Sequence, residues 1–192
     1  VAHDMRKPYR VYGGLQDNNQ WVGPTQTADG SVGPDDWTAL GGGDGFATVP
    51  DPNDWTTVYY LSQGGSLVRT NQRLGGGRGI QPRPPRGETY RFNWSSPFII
   101  SPHNSQVVYF GGNKLFRSID RGANFRPVSP DLTTNDPRKL RAGEGSVTPE
   151  QTTAENHCTL ITIDESPMTP GLLWTGSDDG LVHVSRDEGK TW

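Results

Sequence analysis

The sequence predicts an all-β protein built from repeated antiparallel sheets, and two observations support this. Gly and Pro, with 25 and 16 copies, make up about a fifth of the 192 residues, whereas only 31% of the residues are hydrophobic. Such a composition is typical of many short strands joined by turns. No run of apolar residues recurs at helical spacing, so almost no helix is expected. The second observation is an internal repeat.

Four segments share one form: a strand of β-branched or aromatic residues, a turn with Gly or Ser, and a second strand. They span residues 9–23, 57–71, 107–120 and 172–187. Alignment of Tyr12, Tyr60, Phe110 and Thr175 gives steps of 48, 50 and 65 residues. A period of about 50 residues with several strands per unit predicts the blades of a β-propeller, each a four-stranded antiparallel sheet.

The strands of each blade are named A to D in order. Strand A is predicted at 46–50, 98–100 and 159–163, and strand B at 10–12, 58–61, 107–110 and 172–175. Strand C is predicted at 20–22, 67–70, 115–118 and 181–185, and strand D at 37–40, 89–92 and 124–128. The blades then span 1–42, 43–94, 95–156 (with an insertion at 131–156) and 157–192. Blade one lacks strand A and blade four lacks strand D, which predicts two complete and two partial blades in an incomplete ring. We expect the rest of a larger parent propeller, or a second copy, to cover the open blade edges.

The turn after strand C has the same form in blades three and four: Ser, any residue, Asp, any residue, Gly, any two residues, aromatic. The matching residues are Ser118, Asp120, Gly122 and Phe125 in blade three, and Ser185, Asp187, Gly189 and Trp192 in blade four. Gly allows a positive φ, and Asp and Ser side chains bond nearby backbone amides. We therefore predict a structural role for these eight residues, with each aromatic between neighbouring sheets.

This pattern is the Asp-box, or BNR repeat, and it resembles the repeats of sialidases, sortilin-type receptors and xyloglucanase-type glycoside hydrolases. The segments YGGLQDNNQWVGP (12–24), GGGDGF (41–46), SQGGSLVRTNQRLG (62–75) and YFGGNKLFRSIDRGANF (109–125) look like those of exported bacterial sortilin-like BNR-repeat proteins often labelled glycosyl hydrolases. The resemblance implies a parent protein with a pair of propellers, secreted, periplasmic or on the cell surface. It also implies that the Asp-boxes lie away from any active centre.

Charge and composition exclude some classes of function. A net charge of −3 with a pI near 5.8 argues against a nucleic-acid binder. No stretch is apolar enough to predict a membrane span. The lone Cys158 is predicted to be a buried structural thiol. The four His residues show no metal-ligand spacing, so no metal or cofactor is predicted, with Ca²⁺ in the Asp17-Asn18-Asn19 loop as the alternative.

Strand order predicts which loops share a face. In a four-stranded antiparallel blade the D-to-A and B-to-C loops lie on one face, and the Asp-boxes lie on the other. The first face collects Gln16, Asp17, Asn18, Asn19, Asp44, Arg91, Asn93, Trp94, Glu155, Asn156, His157, Asp178 and Asp179. Carboxylates and amides bind hydroxyls and an aromatic ring stacks on a sugar ring, so this face is predicted to bind a glycan or a peptide.

Several residues of this face also fit structural roles. Asp17-Asn18-Asn19 and Asp178-Asp179-Gly180 are good hairpin turns, and Trp94 fits the core between blades. A glycoside hydrolase half-site is the catalytic alternative, with two carboxylates about 5–10 Å apart flanking the scissile bond. The candidate catalytic residues are Asp17, Asp44, Glu155 and Asp178. The third alternative is a purely structural or assembly repeat.

Overall fold

The computed structural model describes residues 1–140, 153–154 and 156–192, and it confirms the all-β prediction. Four antiparallel sheets account for the regular structure, joined by loops and two short 3₁₀ turns at Pro34–Asp36 and Gln63–Gly65. The chain divides into two compact units. The first comprises Val1–Ser62 and Ser66–Gln81, and the second comprises Gln63–Gly65 and Pro82–Trp192. Among the described residues, no helix is long and apolar enough to cross a membrane.

The first unit contains two four-stranded sheets. Sheet 1 consists of β1 (Ala2–His3), β2 (Arg10–Gly14), β3 (Gln20–Pro24) and β4 (Thr38–Gly41), and sheet 2 of β5 (Thr48–Asp51), β6 (Asp54–Ser62), β7 (Ser66–Asn71) and β8 (Gly77–Gly79). Each strand pairs with its neighbour in sequence, as a chain of short hairpins requires. The core of this unit lies between the sheets, where Tyr12 and Val22 pack on Val58.

Two strand predictions for this unit were wrong. Blade one does have a strand A, because Ala2 pairs with Tyr12 and His3 with Val11. The prediction missed this strand because two residues are too few to show an alternating pattern. The strand is held in place by buried Asp4, which accepts the backbone N–H groups of Arg6 and Arg10 at 3.2 and 3.0 Å. Strand D of blade two is β8, not 89–92. β8 reads Gly-Arg-Gly and pairs through its backbone, so it carries no β propensity to detect.

The second unit also contains two sheets. Sheet 3 consists of β9 (Phe98–Ile100), β10 (Val108–Gly111), β11 (Leu115–Ser118) and β12 (Arg126–Pro127), and sheet 4 of β13 (Leu160–Glu165), β14 (Leu173–Ser177) and β15 (Val182–Ser185). Sheet 4 has three strands in the described part of the chain. Tyr109 and Leu115 of sheet 3 meet Leu160, Ile163 and Leu173 of sheet 4, forming the core of this unit. Cys158 is fully buried, as predicted.

The two repeated turns have matching hydrogen bonds. Ser118 Oγ accepts the N–H of Asp120 at 3.2 Å and that of Gly122 at 2.9 Å, and it donates to Asp120 Oδ1 at 2.6 Å. Ser185 Oγ repeats this with Asp187 and Gly189 at 3.4 and 2.8 Å, and donates to Asp187 at 2.9 Å. Both glycines have positive φ. The turn residues are therefore bound to one another.

The aspartates of these turns accept further donors beyond the serines. Asp120 accepts the Asn124 backbone N–H at 2.8 Å, and Asp187 accepts the Thr191 backbone N–H at 2.8 Å. Hydrogen bonds from Ser118 and Asn124 lower the pKa of Asp120 to about 2, and those from Thr191 lower the pKa of Asp187 to about 2. Both carboxylates stay ionised at neutral pH.

The aromatic residue that ends each turn packs inside the second unit. Trp192 packs against the core between sheets 3 and 4 and donates from Nε1 to Val128 O at 3.2 Å. The ring of Phe125 lies 6.2 Å from that of Phe110, which stacks on Phe92 at 5.3 Å. Phe92, which was predicted to lie in a strand, is thus a buried loop residue of this aromatic stack.

Candidate functional site

In the first unit, the β2–β3 loop and the β4–β5 loop lie against each other. Asn19 N donates to Gly43 O at 3.1 Å, and Gly45 N donates to Leu15 O at 2.9 Å. Only glycine fits here, because a Cβ on Gly45 would lie 2.1 Å from Asn19 O. The GGGDGF segment therefore lets the second loop press on the first, and this brings Asp44 to Asp17.

Asp17 and Asp44 form a carboxyl pair. The backbone N–H of Asp17 donates to Asp44 Oδ1 at 2.8 Å. Asp44 is buried at 4% exposure, whereas Asp17 is exposed. The side-chain hydrogen bond from Asp44, and then the repulsion between the two charges, raise the pKa of Asp17. Asp17 therefore binds a proton more readily than a lone aspartate.

Amide side chains surround this pair. Gln16 and Asn18 are exposed, and Asn18 Nδ2 donates to Gln16 O at 3.2 Å. Beneath them, Gln20 is fully buried and donates to Asp44 O at 3.3 Å and to Leu61 O at 2.9 Å. Trp21 Nε1 donates to Asn18 O. The loop backbone is thus fixed from below, while the side chains of residues 16–18 face solvent. We call residues 16–19 with Asp44 the Asp17 loop site.

In the second unit, Asp178 serves mainly to join two loops. Its carboxylate accepts Thr159 N at 3.1 Å and Thr159 Oγ1 at 2.7 Å, and Asn93 Nδ2 at 3.4 Å. His157 Nδ1 lies 3.6 Å from Asp178 Oδ1. Asn93 also donates to Thr159 Oγ1 at 3.0 Å. Asp178, Asn93 and His157 are therefore brought together, but largely occupied by one another.

Asp179 is equally engaged. It accepts both the backbone N–H and the hydroxyl of Thr134 at 2.6 Å, and it accepts Ser177 Oγ. Burial raises its pKa, but the hydrogen bonds from Ser177 and Thr134 outweigh burial and lower the pKa to about 2. Asp179 is thus an ionised anchor for the segment after β12.

Arg91 is also bound within the second unit. Its Nη2 donates to Asp131 Oδ2 at 2.8 Å and to Thr133 Oγ1 at 3.3 Å, and its Nε donates to Cys158 O at 3.3 Å. Burial raises the pKa of Asp131, yet the hydrogen bonds from Thr133, Asn113 and Arg91 lower it overall. Arg91 is a bridge between loops that leaves little of its guanidinium for a ligand.

The sequence analysis missed the partners of these residues. The cluster around Asp178, Asp179 and Arg91 also includes Thr134, Thr159 and Asp131. The Asp131-Leu132-Thr133 segment has the form of an Asx turn, which could have been recognised in the sequence. Of the remaining predicted residues, the side-chain amide of Asn156 donates to Phe92 O at 2.8 Å. Trp94 is half-buried, and its backbone carbonyl accepts the N–H of Gly64 at 3.2 Å. Glu155 lies outside the described residues.

Within the described ranges, no three or more His, Cys, Asp or Glu side chains are grouped so as to hold a metal ion. Ca²⁺ takes six to eight oxygen ligands, and the Asp17–Asp44 pair alone does not fill such a shell.

Two solved structures that resemble this chain are propellers of glycoside hydrolases. The GH74 xyloglucanase from Xanthomonas campestris matches 90% of this chain with a TM-score of 0.52 at 14% identity. The GH74 enzyme of Niastella koreensis matches 91% with a TM-score of 0.52 at 15% identity. The chain spans 26% and 27% of those two proteins, about a quarter of their length. These similarities show a β-propeller fold and nothing finer.

A third similar structure is the extracellular domain of a B. thetaiotaomicron protein, at 12% identity over 96% of the chain with a TM-score of 0.46. No protein-family model matches the chain, and no curated protein matches it.

Proposed function

We propose that this chain is a β-propeller module of a larger exported protein and that it binds a glycan at the Asp17 loop site. The observation that carries the proposal is the Asp17–Asp44 pair, an exposed carboxyl and a buried one held together by two glycine-lined loops. The second-unit residues of the predicted binding face mainly bind one another. Among the described residues of that face, the exposed side chains of residues 16–18 remain available to a ligand.

The chemistry of the site favours hydroxyl groups. The exposed Asp17 carboxylate accepts hydrogen bonds, which the hydroxyl groups of a sugar donate. Gln16 and Asn18 add amide donors and acceptors on the same exposed loop. One structural neighbour is a xyloglucanase, which adds a glucan to the candidate ligands. A peptide is the alternative ligand.

Catalysis is the second candidate function, and the same pair favours it only weakly. A glycoside hydrolase needs its two carboxyls about 5–10 Å apart, on either side of the scissile bond. Asp44 Oδ1 instead accepts the backbone N–H of Asp17 at 2.8 Å, and the Asp44 carboxyl is buried, so it is not open to a sugar linkage. Of the two carboxyls, Asp17 faces solvent and Asp44 is buried, so we place binding ahead of turnover.

Calorimetry with xyloglucan and cello-oligosaccharides tests the proposal. The variant Asp17→Asn keeps the backbone N–H that binds Asp44 but removes the exposed carboxylate. We expect at least tenfold weaker binding, and no change in the variant Asp35→Asn, an exposed aspartate elsewhere in the same unit. Equal affinity of the two variants, or binding of extended peptides in place of every glycan, would refute the assignment.

A turnover assay on the same oligosaccharides separates binding from catalysis. We expect no release of reducing ends by the wild type. If turnover is found and both Asp17→Asn and Asp44→Asn abolish it while the fold is unchanged, the hydrolase alternative is correct. Turnover that survives in both variants would exclude this pair as the catalytic site.

The two repeated turns support the family placement that we propose. Their shared Ser-Asp-Gly hydrogen bonding is what an Asp-box, or BNR, repeat requires, and the sequence resembles sortilin-like bacterial proteins with such repeats. On that basis we infer export to the periplasm, the cell surface or the medium. Fractionation of cells that express the native gene tests this, and recovery of the protein with the cytosol would contradict it.

A further inference from the structure

In the first unit, two arginine side chains lie against the indole of Trp55. The guanidinium carbon of Arg6 is 3.9 Å from the centroid of the indole ring, and that of Arg73 is 5.5 Å from it. Arg6 lies in the β1–β2 loop, Trp55 near the start of β6, and Arg73 in the β7–β8 loop. These loops leave their sheets at the edge opposite to the β2–β3 and β4–β5 loops, so the group is separate from the Asp17 loop site. We call Arg6, Trp55 and Arg73 the Trp55 arginine cluster.

The charge of Arg6 is balanced and its guanidinium is fixed. Arg6 Nε donates to Asp4 Oδ2 at 2.6 Å, and Arg6 Nη2 donates to the hydroxyl of Tyr12 at 3.2 Å. The Asp4 side chain is only 1% exposed. Burial raises the pKa of Asp4, but hydrogen bonds from Arg10, Arg6 and Tyr12 lower it overall, so Asp4 is ionised at neutral pH. Asp4 therefore neutralises Arg6 and holds it in place.

Arg73, by contrast, has a fixed backbone and an exposed side chain. Asn71 Oδ1 accepts the backbone N–H groups of Arg73 at 3.0 Å and Leu74 at 2.9 Å. The side chain of Gln72 donates to Trp55 O at 2.6 Å, which ties the turn to β6. In the part of the chain that the structure describes, Arg73 pairs with no acidic side chain. One uncompensated positive charge is therefore held at the indole.

The corresponding turn of sheet 3 differs at the same two positions. Strands β7 and β11 share the form Leu-x-Arg-Thr/Ser, and their alignment places Gln72 at the position of Asp120 and Arg73 at that of Arg121. Asp120 bonds within its own turn, whereas Gln72 bonds to another strand. Arg121 is half-buried, whereas Arg73 is exposed. The turn that serves a structural role in sheet 3 thus presents a free cation in sheet 2.

We propose that the Trp55 arginine cluster binds the carboxylate of an acidic sugar. The guanidinium of Arg73 offers a planar fork of N–H donors, which matches the two oxygens of a carboxylate. Trp55 is half-buried, and an indole packs well against the apolar C–H groups of a sugar ring. The site therefore combines one free positive charge with one aromatic surface, and an acidic sugar carries the complement of both.

Nearby negative charges disfavour more highly charged ligands. The carboxylate of Asp4 belongs to the same hydrogen-bonded group and repels a second negative charge on a phosphate. The β3–β4 loop, at the same edge of the sheets, carries the exposed Asp29 and Asp35. These two side chains repel a peptide with several carboxylates. A ligand with a single negative charge on a sugar ring avoids both penalties.

An NMR titration of the whole chain with the methyl glycoside of glucuronic acid tests this. We expect saturable shifts of the Arg73 Nε–H signal and of the Trp55 indole N–H signal. The corresponding glucuronamide has the same shape without the charge, and it should bind roughly tenfold more weakly. Acetate, which lacks the ring, and inorganic phosphate should each bind roughly tenfold more weakly too.

Variants of the exposed arginines locate the site. Arg73→Gln should weaken binding of the sugar acid roughly tenfold. Arg78→Gln removes the same charge from an exposed residue of β8 and should bind like the wild type. Asp17→Asn should also bind like the wild type, so this proposal and that for the Asp17 loop site fail independently. Circular dichroism establishes that each variant is folded.

Several results would overturn the proposal. Equal affinity of Arg73→Gln and Arg78→Gln would show that the cluster is not the site, and equal affinity for the sugar acid and its amide would show that the carboxylate is not recognised. Acetate, phosphate or a glutamate-rich peptide that binds as tightly as the sugar acid would exclude an acidic sugar as the ligand.

Discussion

Replacement of Ser118 by Ala tests how much the repeated turn contributes to stability. Ser118 is 2% exposed, and its hydroxyl takes part in three hydrogen bonds, with Gly122 N, Asp120 N and Asp120 Oδ1. The methyl group of Ala fills nearly the same space, so no large cavity forms. The change therefore isolates the hydrogen bonds from the packing.

The size of the loss in stability depends on which groups lose their hydrogen-bond partner. The Gly122 N–H is buried and would have no acceptor, which costs about 1–3 kcal/mol. Asp120 is partly exposed and can replace the serine hydroxyl with water, so that loss adds about 0.5–1.5 kcal/mol or less. We expect the free energy of unfolding to fall by about 2–3 kcal/mol.

Urea denaturation followed by tryptophan fluorescence gives this free energy. Ser185→Ala should show a loss of similar size, since Ser185 is 1% exposed and makes the same bonds. Ser95→Ala, at an exposed position in the same unit, is the control and should change stability by no more than about 0.5 kcal/mol. If Ser118→Ala resembles this control, the turn does not stabilise the fold by hydrogen bonding.

Three further predictions concern the second unit. In the folded protein the pKa of Asp187 lies at about 2, below its usual 3.8. The ionised carboxylate therefore contributes fully to the free energy of unfolding above about pH 4, and this contribution is lost toward pH 2. The difference in stability between the wild type and Asp187→Asn, measured in urea at each pH, should close in that window and nowhere above it. Gly189→Ala should lower the free energy of unfolding by about 3 kcal/mol, because φ is +91° and a Cβ would meet Val128 O at 2.5 Å. Gly180→Ala, where φ is +90° but the space is open, should lower it by about 1 kcal/mol; thermal unfolding measures both. Arg91→Met should cost about 1–3 kcal/mol by leaving the Asp131 carboxylate without its cation, and an unchanged urea midpoint would contradict this.

The propeller fold alone leaves the activity undecided, and the position of the polar groups gives the better guide. The second-unit residues that looked like binding groups are joined in a network that holds three loops together. In the first unit, by contrast, Gln16 and Asp17 present polar atoms to solvent from a loop whose backbone is held in place. This difference between occupied and available groups leads us to locate binding in the first unit.

Local pattern determined most of the secondary structure of this protein. The predicted strands at 98–100 and 115–118 agree with β9 and β11, because a short run of apolar residues between turn signals is enough to indicate a buried strand. The two Ser-Asp-Gly turns are equally local, since every group that bonds lies within about six residues of its partner. Strand order also predicted that the Asp17 and Asp44 loops share one face.

Tertiary contacts decided the rest. β1 and β8 are too short or too rich in glycine to be seen in the sequence, and they exist because a neighbouring strand offers them backbone partners. Whether a polar side chain is available or engaged depends on residues far along the chain, as when Thr134 bonds Asp179. The hydrogen bond from the Asp17 backbone N–H to the Asp44 carboxylate forms because glycine lets two loops touch. A hydrogen bond or a close approach is a property of distance in space, and that distance is set only when the sheets pack.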